Sequence, residues 1–458
     1  MKPICIAPCA LALAALLGCA QVSGPSPSPL EPSASQNTTL ELPNWWARFG
    51  DALLSQRIEQ ALRSNGDLQR AAARLREAQA QWSEAQGARL PSLVLGLEGE
   101  RAHPSAASNG APQGPTLSQQ RAGLVTRFDL DLWGQLRATD QAAGHRLQAE
   151  QWARLALAWS LSTQVAELHL SLAALQRQIE ISSAVIEGRR GQLAMRDREH
   201  AAGASSEFEQ RRAQAELAGA ESQHHQLLRQ QLAAARALAL LLGVDDFNPA
   251  TPPLQGEASL PRLPQGELRE LLARRPDVRQ AEQQLAASQA DLRAARAGSL
   301  PALQFSGRLG SDARELGQLF KGPGMAWSLL GSLTQSLFDG GRSAARVSQA
   351  DARRDGQRAL YTQALQRAAA EAHEAIEALV VEQQQLEASQ RRSTATARAW
   401  QLAQRGRALG AISPLDALDS ERQHFQAQLD EVEALRKRRV GELGVIKALA
   451  QGPGLSKE

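Results

Sequence analysis

The chain has 458 residues, 43% of them hydrophobic and only 4% aromatic, with 51 Lys and Arg against 48 Asp and Glu. So large an apolar share excludes a wholly disordered chain, and a net charge of +3 without clustered Lys and Arg argues against a nucleic-acid partner. No apolar run of about 20 residues lies beyond the N-terminus, so no transmembrane helix is expected in the mature chain.

The chain opens on Lys2, runs apolar from Ile4 to Leu17 with a break at Pro8, and continues into Gly18 and Cys19. That is a secretory signal whose apolar stretch is too short to span a bilayer. Leu16-Leu17-Gly18-Cys19 resembles a bacterial lipoprotein box, which implies cleavage after residue 18 and acylation of Cys19. Ala20, where such lipoproteins would carry Asp to stay behind, implies the outer membrane. Cys5 and Cys9 leave with the signal, so the mature chain keeps a single cysteine and no disulfide. Residues 19–43, rich in Pro and Ser, read as an acylated tether without a core of its own.

The rest of the chain is duplicated. A shift of 210 carries Leu62, Asp67, Leu75 and Leu90-Pro91 onto Leu272, Asp277, Leu285 and Leu300-Pro301. A shift of 207 carries Gly134, Gly203 and Ser206 onto Gly341, Gly410 and Ser413. The period is too long for a solenoid, so two halves are expected: 44–250 and 265–452, joined by a Pro-rich linker at 251–264 and ending in a tail at 453–458.

Each half reads as helix, strand, loop, strand, long helix, long helix. Strands are expected at 93–101, 120–131, 303–310 and 327–338. In each, apolar and polar residues alternate with period two, which gives one dry and one wet face. On the dry faces lie Leu93, Leu95, Leu124, Phe128, Phe305, Trp327 and Leu337; on the wet faces lie Glu98, Arg121, Arg127, Asp129, Asp131, Arg308 and Ser332. The lengths suit tilted membrane strands, so Arg121, Arg127, Asp129 and Asp131 are lumen candidates. After the strands come the Pro-free stretches 135–202 and 342–409, each roughly 100 Å long if helical. Leu161, Val165, Leu168, Leu172, Leu175 and Ile179 step by four and three as a coiled-coil seam, and Ala372, Ile376, Leu379 and Leu386 repeat it. The chain is expected to turn at 203–206 and 410–414 and return antiparallel.

Four strands cannot close in lipid, because an open edge leaves backbone groups unsatisfied at several kcal/mol each. Three copies would supply twelve strands, the smallest symmetric assembly with room for a solute. The expected fold is therefore mainly α with membrane β: a long antiparallel helical barrel continuous with a trimeric twelve-stranded barrel, four strands per chain.

Here the residues resemble a family. Asp131-Leu132-Trp133-Gly134-Gln135-Leu136-Arg137, Leu337-Phe338-Asp339-Gly340-Gly341-Arg342 and the early Trp45-Trp46-Ala47-Arg48-Phe49-Gly50-Asp51 are similar to segments of the TolC-like outer membrane factors. With the lipoprotein box they resemble the NodT and OprM branch. The resemblance implies a homotrimeric exit duct in outer membrane lipid. It would work with a periplasmic adaptor and an inner-membrane resistance-nodulation-division (RND) pump, and would export drugs or other small toxic solutes. It also implies a gate at the periplasmic tip, matched by Asp416 and Asp419, which stand three apart on one helix face. Ile412 and Arg407 depart from the basic and aromatic residues that some relatives carry there.

Nothing in the sequence reads as catalysis, and no cofactor or metal is expected. His224 and His225 do not share a helix face, and there is neither a phosphate loop with Lys nor a Gly-x-Ser-x-Gly elbow. Asp129 and Asp131 lack a partner for acid–base work and read as lumen lining. Trp133 and Trp327 are candidate interfacial anchors. Two other readings stand beside the efflux duct: the exit duct of a type I protein secretion system, and a lipid-anchored periplasmic coiled-coil scaffold without a pore.

Overall fold

The computed structural model describes residues 44–102, 117–245, 248, 249, 251, 268–314 and 325–449. The signal, Cys19, the tether, most of the linker and the tail lie outside the described residues.

A one-turn 3-10 segment at Trp45–Phe49 leads into α1 (Ala52–Ser64), α2 (Gly66–Gly87), β1 (Ser92–Ala102), β2 (Leu117–Leu130), α3 (Gln135–Ala201) and α4 (Glu207–Leu242). The second half follows as α5 (Leu268–Leu272), α6 (Pro276–Ala297), β3 (Ala302–Ala313), β4 (Met325–Thr334), α7 (Arg342–Ala408) and α8 (Pro414–Ala448). α3 and α7 each run 67 residues, close to 100 Å. The helices start where the sequence supplies acceptors for their orphan amides. Asp51, Asn65, Ser206 and Ser413 cap α1, α2, α4 and α8 through their side chains.

The four strands form one antiparallel sheet in the order β1-β2-β3-β4. The halves meet at the β2–β3 pairing, where Phe128 lies opposite Phe305 and Leu124 opposite Leu309. Register assigns the faces. Leu95, Leu124, Leu309 and Trp327 form one row of the apolar face, and Glu98, Arg121 and Asp312 one row of the polar face. Two strands end sooner than the alternation implied. β2 stops at Leu130, leaving Asp131 outside, and β4 stops at Thr334, leaving Ser336 and Leu337 outside. The partner of Thr334 is Ala302, and Pro301 before it has no amide to extend the ladder. At β2 the Asp131 carboxylate is taken by the next helix.

The core is also duplicated. Leu161, Val165, Leu238 and Leu242 join Leu54, Ile58, Trp45 and Trp46 in a first cluster. Ala368, Ala372, Val445 and Leu449 pack with Leu272 and Val278 in a second, smaller one. The N-caps tie each half in the same way: Asn65 Nδ2 donates to the Leu241 carbonyl (3.2 Å), and the Arg275 guanidinium donates to the Ala448 carbonyl (3.1 Å). Of the expected seam on α3, Leu161, Val165 and Leu172 are buried, and a second stripe of Ala166, Leu170, Ala173 and Ala174 is buried with them. The reason is that α3 lies against α4, α6 and α8 together, so it needs more than one apolar stripe.

Candidate pore lining and periplasmic tip

On the polar face of the sheet the charged side chains hold one another. Arg121 lies 3.9 Å from Glu98 and donates to Gln119 (2.8 Å); Arg308 donates to Asp312 (2.7 Å); Gln304 donates to Asp129 (2.8 Å). Arg127 stands opposite Ser92 and Ser306. Arg121, Arg127 and Asp129 thus share one face. Asp312 belongs to it too; it was missed because β3 runs past the expected end at 310. Between the charged rows runs a row without side-chain bulk, Gly96, Gly123, Gly310 and Ala326. Val94, Val125 and Leu330 interrupt the polar pattern. Trp327 is exposed on the apolar face, as an interfacial residue would be.

Asp131 sits off the sheet and works as a helix cap. Its carboxylate accepts the amides of Leu136 (3.0 Å) and Arg137 (2.9 Å) at the start of α3. Partial burial pushes its pKa up, but the two amides and the Arg137 guanidinium outweigh this and hold it below the usual carboxylate value. Asp339 repeats the device, accepting the amides of Gly341 (3.0 Å) and Ser343 (2.8 Å). Gly134 and Gly341, at φ 77° and 83°, make the left-handed step from sheet to helix. Trp133 closes the joint from the other side, its indole donating to the Pro301 carbonyl (2.7 Å). Asp131→Ala is expected to cost about 1 kcal/mol. Because the native pKa is depressed, this stability is present above the normal carboxylate pKa and lost as pH falls through the native one. Thermal unfolding at pH 7 and at pH 3 checks it: the variant should fall short of the parent at pH 7 and approach it at pH 3.

At the far ends of the long helices, Gly203 and Gly410 turn the chain with φ of 74° and 71°. Ser206 accepts the Glu209 amide (3.3 Å), and Ser413 accepts the Asp416 amide (3.1 Å) while donating to its carboxylate (2.7 Å). Asp416 is therefore bonded to its own N-cap serine at the start of α8, through its amide and its carboxylate. Asp419, one turn on, accepts from Arg422 (2.6 Å) and Gln423 (2.6 Å). Both acids stay open to solvent on the first turns of α8. Ile412 folds back on Gly406, where even a Cβ would lie 2.6 Å from its Cδ1, so it fastens its own turn. Arg407 lines a groove with Met195, Arg196, Ser413, Pro414 and Leu418.

One buried polar cluster had no local signal. The His169 ring lies between Asp51 (2.9 Å) and Arg57 (3.0 Å), joining α1 to α3. Arg57 can only donate, so Nδ1 accepts and Nε2–H donates to Asp51. Burial pushes the His169 pKa down; Asp51 pulls it up and the Arg57 charge pushes it down again. The ring is neutral at pH 7. Among the described residues no three His, Cys, Asp or Glu gather as a metal site, and no helix is long and apolar enough to cross a membrane.

A membrane-type sheet with one apolar and one charged face, feeding two helices close to 100 Å long, each with a shorter returning partner, defines a class: a duct through an outer membrane that continues into the periplasm. The family model for outer membrane efflux proteins matches residues 57–244 and again 268–451. The chain belongs to the outer membrane efflux protein family. It is 30% identical over 98% of its length to the pyoverdine export outer membrane protein OpmQ of Pseudomonas putida, covering 97% of that protein. It is 29% identical to the probable outer membrane lipoprotein SilC of Salmonella typhimurium, over 93% of each chain. Among solved structures, the outer-membrane channel OprN superposes with a TM-score of 0.83 at 28% identity, over 91% of this chain and 94% of that one. The protein is an outer membrane component of an efflux pump, its exit duct, with the long helices on the periplasmic side.

Proposed function

We propose that three copies close into one twelve-stranded barrel and helical tunnel, which passively conducts drugs or other small toxic solutes. Energy comes from an inner-membrane RND pump reached through a periplasmic adaptor. The chain itself catalyses nothing and needs no cofactor. The observation that carries this reading is the sheet: four strands, two bare edges, large apolar side chains on one face and ions on the other. Only closure by further copies satisfies such edges in lipid. Cys19, acylated after loss of residues 1–18, anchors each copy through the 19–43 tether, and the two efflux repeats lie on either side of the 251–264 linker. The purified acylated protein is expected to be a trimer in detergent that passes ions in planar bilayers; a non-conducting monomer overturns the reading.

Within that duct, Asp416 and Asp419 form the constriction. Three copies set six carboxylates around one axis, which favours cations. Arg422 and Gln423 tether Asp419, and Ser413 tethers Asp416, so the acids point from rigid first turns. Asp416→Ala with Asp419→Ala is expected to lower cation over anion permeability on the order of two-fold, with a change in single-channel conductance. Reversal potentials and conductance equal to those of the parent remove both residues from the gate.

A further inference from the structure

The polar face of the sheet holds a cation that nothing in the chain uses. Arg121 is occupied by Glu98 and Gln119, and Arg308 by Asp312. Arg127 is exposed, and among the described residues its guanidinium has neither an ion-pair nor a hydrogen-bond partner. Asp129, two residues on along the same face, is held by Gln304 at 2.8 Å instead. The duplication does not call for an arginine here. A shift of 207 places Thr334 at the equivalent point of the second hairpin, so the same fold accepts a small neutral residue there.

What surrounds Arg127 follows from the register. Ser92 on β1 and Ser306 on β3 stand directly opposite it, one on each side. Val125 precedes it by two residues on the same face, and Val94 is the partner of Val125. Leu330 of β4 is the partner of Ser306 and closes the row. These are the three apolar side chains that interrupt the polar pattern, and Val94 and Leu330 are 59% and 62% exposed. They gather around the unpaired guanidinium rather than scattering over the face. The apolar groups begin about 7 Å from Arg127 along its own strand and about 10 Å from it across the sheet. An unused fork of donors thus stands beside hydrocarbon that water solvates poorly.

We infer that Arg127, with Ser92 and Ser306 beside it and Val94, Val125 and Leu330 around it, is a subsite for an amphipathic organic anion, one that carries a carboxylate or sulfonate next to an apolar group. The inference rests on the reading of the chain as a closed duct whose lumen is the polar face, and it names a solute class which that lumen favours. The guanidinium meets the anion through two parallel N–H donors, the serine hydroxyls supply further donors, and the hydrocarbon of the solute covers the valines and the leucine. Three copies set three such subsites around one lumen. Each is open to water and lacks a second free cation, because Arg308, a diagonal neighbour, is committed to Asp312. Binding is therefore weak and quickly reversed, as passage through a duct requires. A helix close to 100 Å long separates this ring from Asp416 and Asp419, so the two charged places act on a passing solute in succession.

Excess current noise in planar bilayers tests the subsite, recorded on the acylated full-length protein with the probe added on the side away from the long helices. Phenylpropionate is the probe, acetate is the same anion without the ring, and phenylethylammonium is the same ring with the opposite charge. In the parent, phenylpropionate should reach half-maximal noise at about five-fold lower concentration than acetate. Arg127→Thr, which installs the residue of the second hairpin, should raise that concentration about five-fold for both anions and leave phenylethylammonium no weaker. Arg127→Gln, closer to arginine in length, should repeat the result. Val125→Ser with Leu330→Ser should erase the advantage of phenylpropionate over acetate and leave the acetate value where it was. Anions that act alike on the parent and on both Arg127 variants, or a parent in which phenylpropionate has no advantage over acetate, overturn the subsite and leave the duct standing. A parent that passes no ions overturns both.

Discussion

Glu442→Ala is expected to destabilise the periplasmic helices by about 3–5 kcal/mol, the cost of breaking a buried charge pair by removing one partner. Glu442 is 1% exposed on α8, with Arg438 at 2.9 Å and Arg439 at 3.0 Å on its own next-to-last turns. Leu443 beside it belongs to the first core cluster, and Val445, Ala448 and Leu449 belong to the second. The charge is thus set where the two halves share one helix. Alanine removes the anion and leaves two largely buried guanidinium groups with only their remaining contacts. Glu442→Gln keeps an acceptor of the same shape and should lose less. Denaturant unfolding followed by the helical circular dichroism signal decides the matter. An alanine variant within about 0.5 kcal/mol of the parent would mean the carboxylate's own desolvation cancels its attraction to the two arginines.

Gly123→Ala and Gly310→Ala are expected to prevent the barrel from assembling in heat-resistant form. A Cβ on Gly123 would lie 2.7 Å from the Leu309 carbonyl oxygen and 2.8 Å from the Gly310 Cα, both backbone atoms that cannot swing aside. The pair lies on the polar face at the seam between the halves, where the two backbones approach closely. Overpacking costs about 1–3 kcal/mol per site, and three copies in one closed barrel multiply it to about 3–9 kcal/mol. Gly96→Ala, in the same row, is the control, because its Cβ would meet only the Gly123 carbonyl at an ordinary 3.9 Å. The temperature at which the unheated band collapses on a denaturing gel should drop sharply for the Gly123 and Gly310 variants and hardly at all for Gly96→Ala. Equal behaviour of all three would sink the close-approach argument.

Much of this was legible along the chain. Alternation found the four strands and separated Leu95 and Trp327 from Glu98 and Arg121, because a strand's two faces differ by one residue and the sheet pairs equal faces. The turns at Gly203 and Gly410 were legible because a left-handed residue followed by a Ser cap is a local pattern. Strand ends were not. Asp131 continues the alternation perfectly, yet its carboxylate is claimed by two helix amides five and six residues on. Asp416, matched to a gate position by the resemblance, also bonds the Ser413 hydroxyl that caps α8, and the order of residues alone does not separate those roles. The Asp51–His169–Arg57 cluster spans 118 positions and follows no period, so no window along the chain could have collected it.

Duplication, face alternation and helix length belong to the primary structure: they need only the order of residues and the geometry of an isolated strand or helix. Which seams are covered and which are bare belongs to the folded chain. α3 and α7 are equivalent along the sequence, yet α3 packs against five helices, α1, α2, α4, α6 and α8, and α7 is left with Val380 and Val381 in the open. The difference arises because the first half has a second half to pack against within the same chain, whereas the second half must find its neighbour in another copy.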